Sequence, residues 1–277
     1  MKYVYANLKR FDVRREEGGL NSMAAPAEWG KYIISHIQEG LAPFAGKLET
    51  TVFLPESHII SAIETKKADG FPLHIGCQGV FRRDVEKGKN FGAFTTGRTA
   101  KSMMALGCDY TVIGHCEERA DKREIMAAAG GCDETAISRL LNAEIRCAVD
   151  AGMTVLYAIG ERAEEQDRWD EVIRRQLTVG LEGIDPAKLR IAYEPIWAIG
   201  PGRPVPGRED IRKVACLSKE LFPQVPFIYG GGLKTDNAGM LASIEEVDGG
   251  LVGLTRFTGE IGFYPDGFIE IIRTYLG

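Results

Sequence analysis

Eight short apolar runs rich in Val, Ile, Thr and Tyr recur from one end of the chain to the other, with longer helical-period stretches between them. The runs lie at 3–6, 50–54, 73–77, 110–113, 154–158, 190–193, 227–229 and 250–253. Helical stretches are expected at 26–38, 99–106, 134–151, 168–181, 208–221 and 237–244, with 263–275 closing the chain. Strand and helix in alternation imply a parallel sheet. Eight such units in 277 residues match the size of a closed (β/α)8 barrel better than an open doubly wound sheet, and closure removes the exposed sheet edges. No Pro/Ser linker or charge block divides the pattern, so the expectation is an α/β chain forming one (β/α)8 barrel domain over residues 1–277. The polar stretch 12–25 reads as an extended first loop.

Composition narrows the function classes. Thirty-four Lys and Arg against 39 Asp and Glu give a formal charge of −5, which argues against a general nucleic-acid binder and requires any anionic ligand to meet locally focused positive groups. No apolar run approaches a bilayer span, and the start, MKYVYANLKRF, lacks the apolar stretch of a signal peptide; a cytoplasmic protein without a membrane partner is expected. Six scattered cysteines with no CxxC pair signal neither a disulfide framework nor a zinc site, so reduced, mostly buried thiols and no metal are expected. The 33 glycines, about 12% of the chain, exceed the usual ~7% and call for turns or close backbone approaches.

Chemistry in such a barrel sits on the loops after the carboxyl ends of the strands. Asn7 and Lys9 follow the first strand, His115, Cys116 and Glu117 the fourth, and Glu194 the sixth, all on one face. Each has a plain structural alternative. Lys9 fits a solvated surface side chain, His115 a helix cap, and Glu194 a buried carboxylate paired to an arginine. The segment AIGPGRP at 198–204, following Pro195, Ile196 and Trp197, reads as either a lid with hinges at Gly200 and Gly202 or a rigid turn. YGGG at 229–232 and DGG at 248–250 place glycine-rich backbone near the same face, where loops seven and eight of barrels often bind phosphate. Neither is a nucleotide fingerprint.

Taken together, ANLK with Asn7 and Lys9, VIGHCEER with His115, AYEPIWAIGPG with Glu194, YGGG at 229–232 and DGGLVG at 248–253 resemble the triosephosphate isomerase family, in its order and along essentially the whole chain. The resemblance implies an isomerase that interconverts glyceraldehyde 3-phosphate and dihydroxyacetone phosphate by proton transfer through an enediolate. Glu194 would be the base, His115 the acid and Lys9 a fixed charge, with Asn7 assisting. Gly200, Gly232, Gly253 and Leu254 would hold the substrate, and Glu117 and Arg119 would support the active-site loop. It implies no cofactor, a phosphorylated sugar as ligand, and a homodimer.

Several positions depart from the family's pattern. Leu8 replaces a tryptophan, Cys116 a serine, Glu118 an arginine, Gly232 a serine and Leu254 a glycine, while Arg98 in the altered loop 92–98 replaces an acid. Arg256, shortly after Leu254, is expected to offer a compensating charge. The changed phosphate loops motivate two alternatives: an isomerase of another short sugar phosphate, such as a tetrulose phosphate, and a barrel that binds an anion without catalysis.

Overall fold

The computed structural model describes residues 1–67, 71–199 and 203–277. Eight strands form one closed parallel barrel in sequence order: β1 Lys2–Asn7, β2 Leu48–Leu54, β3 Leu73–Cys77, β4 Tyr110–Ile113, β5 Thr154–Ile159, β6 Leu189–Tyr193, β7 Phe227–Tyr229 and β8 Gly249–Val252. All eight fall on the runs read from sequence, within two residues at either end. Among the described residues the α-helices are α1 Trp29–Leu41, α2 Glu56–Thr65, α3 Ala100–Ala105, α4 Cys116–Ala128, α5 Glu134–Asp150, α6 Trp169–Gly180, α7 Arg208–Leu221, α8 Thr235–Ala242 and α9 Pro265–Leu276. The helix α2, absent from the expected stretches, completes the β2–β3 crossover.

Alternating strand residues separate two cores, because successive side chains point to opposite faces. One face fills the barrel with Tyr5, Phe53, Tyr110, Val112, Leu156, Ala192, Ile228 and Leu251. The Phe53 ring takes the space left by Gly76, where a Cβ would lie 2.5 Å from it. The other face, carrying Val4, Val52, Ile75, Val155 and Ile191, packs against the helix ring. At the amino end of the barrel Arg190 and Glu49 pair at 3.0 Å, and the Tyr5 hydroxyl donates to Glu49. That half-buried pair lies across the bottom of the barrel, and the cavity opens at the end bearing the strand carboxyl termini.

The stretch 12–25 is the long first loop expected, with one short 3-10 turn at Arg15–Glu17, and it is tied down. Asp12 and Asn21 are buried, Asp12 meets Nε2 of His58 at 3.1 Å, and the Asn21 amide donates to the Asp12 and Ala24 carbonyls. All six cysteines are free thiols. The expectation that they are mostly buried is corrected: only Cys77 and Cys108 are, because the other four sit in or beside helices on the outer ring or, for Cys116, at the cavity.

Candidate active site

At the carboxyl end of the barrel lies a cavity of about 620 Å3. Its walls bring together Asn7, Lys9, His115 and Glu194 with the loops after β7 and β8, including Gly232, Gly253 and Leu254. Residues from five strand ends, up to 247 positions apart, therefore converge as the motif reading expects. Gly200, assigned to the substrate from sequence, lies outside the described residues, as do its two successors in the run 195–202.

Glu194 is 3% exposed. Its Oε2 accepts the Cys116 N–H at 2.9 Å, and its Oε1 lies 3.2 Å from Nε2 of His115. The arginine-paired alternative for this carboxylate is not what the structure holds. Two glycines make room for it. A Cβ on Gly160 would stand 1.9 Å from the Glu194 carbonyl, and one on Gly230 2.9 Å from Glu194 Cγ. His115 precedes α4, and its Nδ1 accepts the Glu117 N–H at 3.3 Å. That acceptor role places the ring proton on Nε2, facing Glu194. The cap reading of His115 therefore holds for one nitrogen, while the other faces Glu194 in the cavity.

Lys9 has φ +42, a left-handed conformation that is strained for a side-chain-bearing residue. It is held there by Asn7 Oδ1, which accepts its N–H at 3.1 Å, and by the Gln78 amide, which donates to its carbonyl at 3.1 Å. The Lys9 ammonium meets Glu117 at 3.3 Å. Arg119 is buried and staples the β4–α4 turn to β5, donating to the Gly114 carbonyl, the Tyr157 hydroxyl and the Ala158 carbonyl, each at 2.9 Å. Glu118, an acid where the resemblance expects an arginine, accepts the Gly114 N–H and pairs with Lys122 at 2.7 Å.

The structure adds residues that the motifs did not indicate. Glu161, buried after β5, accepts from the Tyr193 hydroxyl at 2.8 Å and from Trp197 Nε1 at 2.7 Å, anchoring the described start of the 195–202 run. Burial pushes its carboxyl up, with those two bonds opposing. Arg203 and Lys234 line the cavity. Arg256 does not: it turns to Asp266 at 3.6 Å and stacks over the Tyr264 ring at 3.9 Å, so the compensating charge expected of it is absent from the site. His115, Cys116 and Glu194 each offer a metal-ligand type within 4.8 Å of the others. A metal on Nε2 would force the proton to Nδ1, against the Glu117 N–H, so the three suit proton transfer better than coordination.

A closed (β/α)8 barrel that gathers a buried carboxylate, an imidazole and a lysine around a cavity at its carboxyl end has the architecture of a barrel enzyme. The comparisons with known proteins give the family: the chain belongs to the triosephosphate isomerase family, whose pattern matches residues 27–274. It is 34% identical over 230 residues to the triosephosphate isomerase of Synechococcus sp. (strain RCC307), covering 82% of this chain and 81% of that one. It is 36% identical over 231 residues to that of Alkalilimnicola ehrlichii, covering 79% and 82%. The crystal structure of triosephosphate isomerase from Bartonella henselae superposes with a TM-score of 0.72 over 100% of this chain and 99% of that one, at 21% identity, a likeness of fold.

Proposed function

We propose that this protein is an isomerase that interconverts D-glyceraldehyde 3-phosphate and dihydroxyacetone phosphate. The observation that carries the reading is the Glu194 carboxylate, nearly inaccessible yet opposed to Nε2 of His115 at 3.2 Å inside the cavity. A carboxylate there can take a proton from a carbon placed against it, where exclusion of water strengthens every charge interaction. Glu194 removes the proton from carbon 2 of the aldose and returns it to carbon 1. The Nε2–H of His115 donates to the oxygen where charge develops and then exchanges protons between the two enediolate oxygens. Lys9 supplies fixed positive charge, and Asn7 holds the strained Lys9 backbone beside it. The net change is one proton moved between carbons and one between oxygens, which side chains alone accomplish; no cofactor is called for.

The substrate's phosphate fits the loops after β7 and β8. Among the described residues the backbone N–H groups of Gly232, Gly253 and Leu254 have no acceptor within the protein, and all three residues line the cavity. Such converging donors are a ready site for an anion. Glu117 and Arg119 act as supports, the first through Lys9 and the second through the β4–α4 turn. We further infer one barrel domain over residues 1–277, a cytoplasmic location in keeping with six unpaired thiols, and a homodimer, for which the exposed loop around Phe91 and a second cleft of about 180 Å3 beside Lys9 and Glu117 speak.

The test is turnover of glyceraldehyde 3-phosphate by purified protein beside Glu194→Asp. Shortening the side chain by one methylene withdraws the base by about 1 Å, and kcat is expected to fall about 100-fold. Activity that ignores the substitution would belong to a contaminating enzyme. A folded wild-type protein that turns over neither triose phosphate would overturn the reading, and tetrulose 4-phosphate assayed alongside separates the four-carbon alternative.

A further inference from the structure

Of the residues that motivated the alternative substrates, Gly232 is the most telling, because a serine there would add a hydroxyl to the anion site. Its backbone has φ +99, and a Cβ built on it points to Lys234, whose Cε lies 3.8 Å away. The lysine side chain therefore arches back across the loop, into the space beside residue 232 that a hydroxyl-bearing side chain would enter. Its ammonium sits 4.0 Å above the Phe257 ring, contributed by the loop after β8. Both Lys234 and Phe257 line the cavity.

Three physical points bear on what this cation does there. Among the described residues Lys234 takes part in no ion pair, whereas Lys9 is shared with Glu117. Lys234 also stands immediately before α8, and a cation at a helix N-terminus is opposed by the helix dipole, so its placement gains nothing for the helix itself. The helix is capped without it: Asn237 Oδ1 accepts the Lys234 N–H at 2.8 Å, while the Asn237 amide donates to the Gly232 carbonyl at 2.9 Å and fixes the loop. Finally, stacking on an aromatic face restrains a flexible ammonium and keeps it over the cavity.

We propose that Lys234 is the side-chain cation of the phosphate subsite, held over it by Phe257 and replacing the hydroxyl that Gly232 cannot supply. The ligand group is a phosphate monoester dianion, bound by the free N–H groups of Gly232, Gly253 and Leu254 and by the Lys234 ammonium. The assignment rests on the isomerase reading for the identity of the substrate, but not for the existence of an anion site. On this view the changed loop keeps its phosphate by a different donor, and Gly232 gives no reason to expect a longer sugar.

The experiment measures two quantities on wild type, Lys234→Ala and Lys234→Arg: the dissociation constant for inorganic phosphate by calorimetry, and kcat and KM for glyceraldehyde 3-phosphate. Loss of one charge-assisted bond is expected to weaken phosphate binding about 10- to 100-fold in Lys234→Ala. The isomerase should lose a similar factor in kcat/KM, carried mainly by KM, and Lys234→Arg should recover most of both. Unchanged phosphate affinity in a folded Lys234→Ala protein would overturn the proposal while leaving the isomerase reading intact. An arginine variant as weak as the alanine one would also overturn it, since charge would then not be the cause. Lys234-dependent phosphate binding without triose phosphate turnover would support the anion subsite and defeat the isomerase reading instead.

Discussion

Gly230 carries no reacting group, yet it sets where the base can stand. An added Cβ would lie 2.8 Å from the Tyr193 carbonyl and 2.9 Å from Glu194 Cγ, and the carbonyl belongs to β6, which cannot give way cheaply. Gly230→Ala should therefore push Glu194 off its position. An approximately 100-fold loss of kcat, with about 1–3 kcal/mol of stability lost to overpacking, is expected in a coupled assay and a urea titration. Cys116 gives a contrasting expectation. Burial first, then the Glu194 carboxylate, pushes its thiol up to about 12, so at pH 7.5 it is almost wholly protonated and a poor nucleophile. Iodoacetamide should label the exposed Cys132 well before Cys116, as peptide mapping would show; preferential labelling of Cys116 would contradict that environment. At this scale the sequence was legible where a residue sits inside a contiguous motif. Asn7, Lys9, His115 and Glu194 could be found that way. Lys234 could not, because its role depends on a positive φ two residues earlier and a ring 23 positions away. Glu161 was hidden too, since its partners Tyr193 and Trp197 are 32 and 36 positions distant.

The helices divide by how much apolar stripe they carry. Helices α1, α5, α6, α7 and α9 bury five or more residues each and were readable from their periodicity. Helix α4, CEERADKREIMAA, buries only Arg119, so its existence was legible through the His115 cap rather than through any core face. What α4 does carry is charge. Lys122 lies between Glu118 at 2.7 Å and Glu144 of α5 at 3.1 Å. Burial, and then the neighbouring Glu118 carboxylate, pushes Glu144 up to about 9. Its bonds to Glu144, Lys122 and the Gly114 N–H keep Glu118 low despite burial. Between the unfolded carboxyl value near 4.5 and about 9, the folded protein holds a proton on Glu144 that the unfolded chain releases. Its contribution is thus fully favourable below about pH 4.5 and is lost as pH rises toward 9. Glu144→Gln removes this dependence. From pH 5 to pH 8 the variant should gain about 4 kcal/mol on wild type in denaturant-derived stability, and parallel pH profiles would rule out the buried proton.

For the whole molecule, the family pattern begins at residue 27, yet the barrel takes its first strand and two site residues from the segment before it. Closure explains this: β1 pairs with both β2 and β8, so Asn7 and Lys9 are placed by the ring as a whole. Two segments of this chain also meet on the rim. Arg15, in the 12–25 loop, donates to the Ile261 carbonyl at 3.3 Å and the Tyr264 hydroxyl at 3.1 Å and pairs with Glu260 at 3.3 Å, bracing the loop that presents Phe257. The barrel was legible because eight apolar runs leave few other topologies, whereas this bracing joins residues some 245 positions apart and has no local signature. The loop after β3 packs Phe94 on Phe81 at 5.9 Å but leaves the tip at Phe91 facing outward. Phe91 is 83% exposed at φ +52, on a loop whose neighbours Gly92 and Ala93 are exposed as well. A large aromatic held outward in a strained conformation is unfavourable in water, and burial against a second copy would recover about 2 kcal/mol per chain. An isologous pair uses the loop twice, once from each copy, so one substitution acts at two places. Light scattering should give twice the chain mass of 30.4 kDa for wild type and a shift to monomer for Phe91→Asp. The monomer is expected to lose activity too, since the 180 Å3 cleft open to a partner is walled by Lys9, His115 and Glu117. A wild-type protein that scatters as a monomer while turning over triose phosphate would remove the dimer and leave the barrel complete in a single chain.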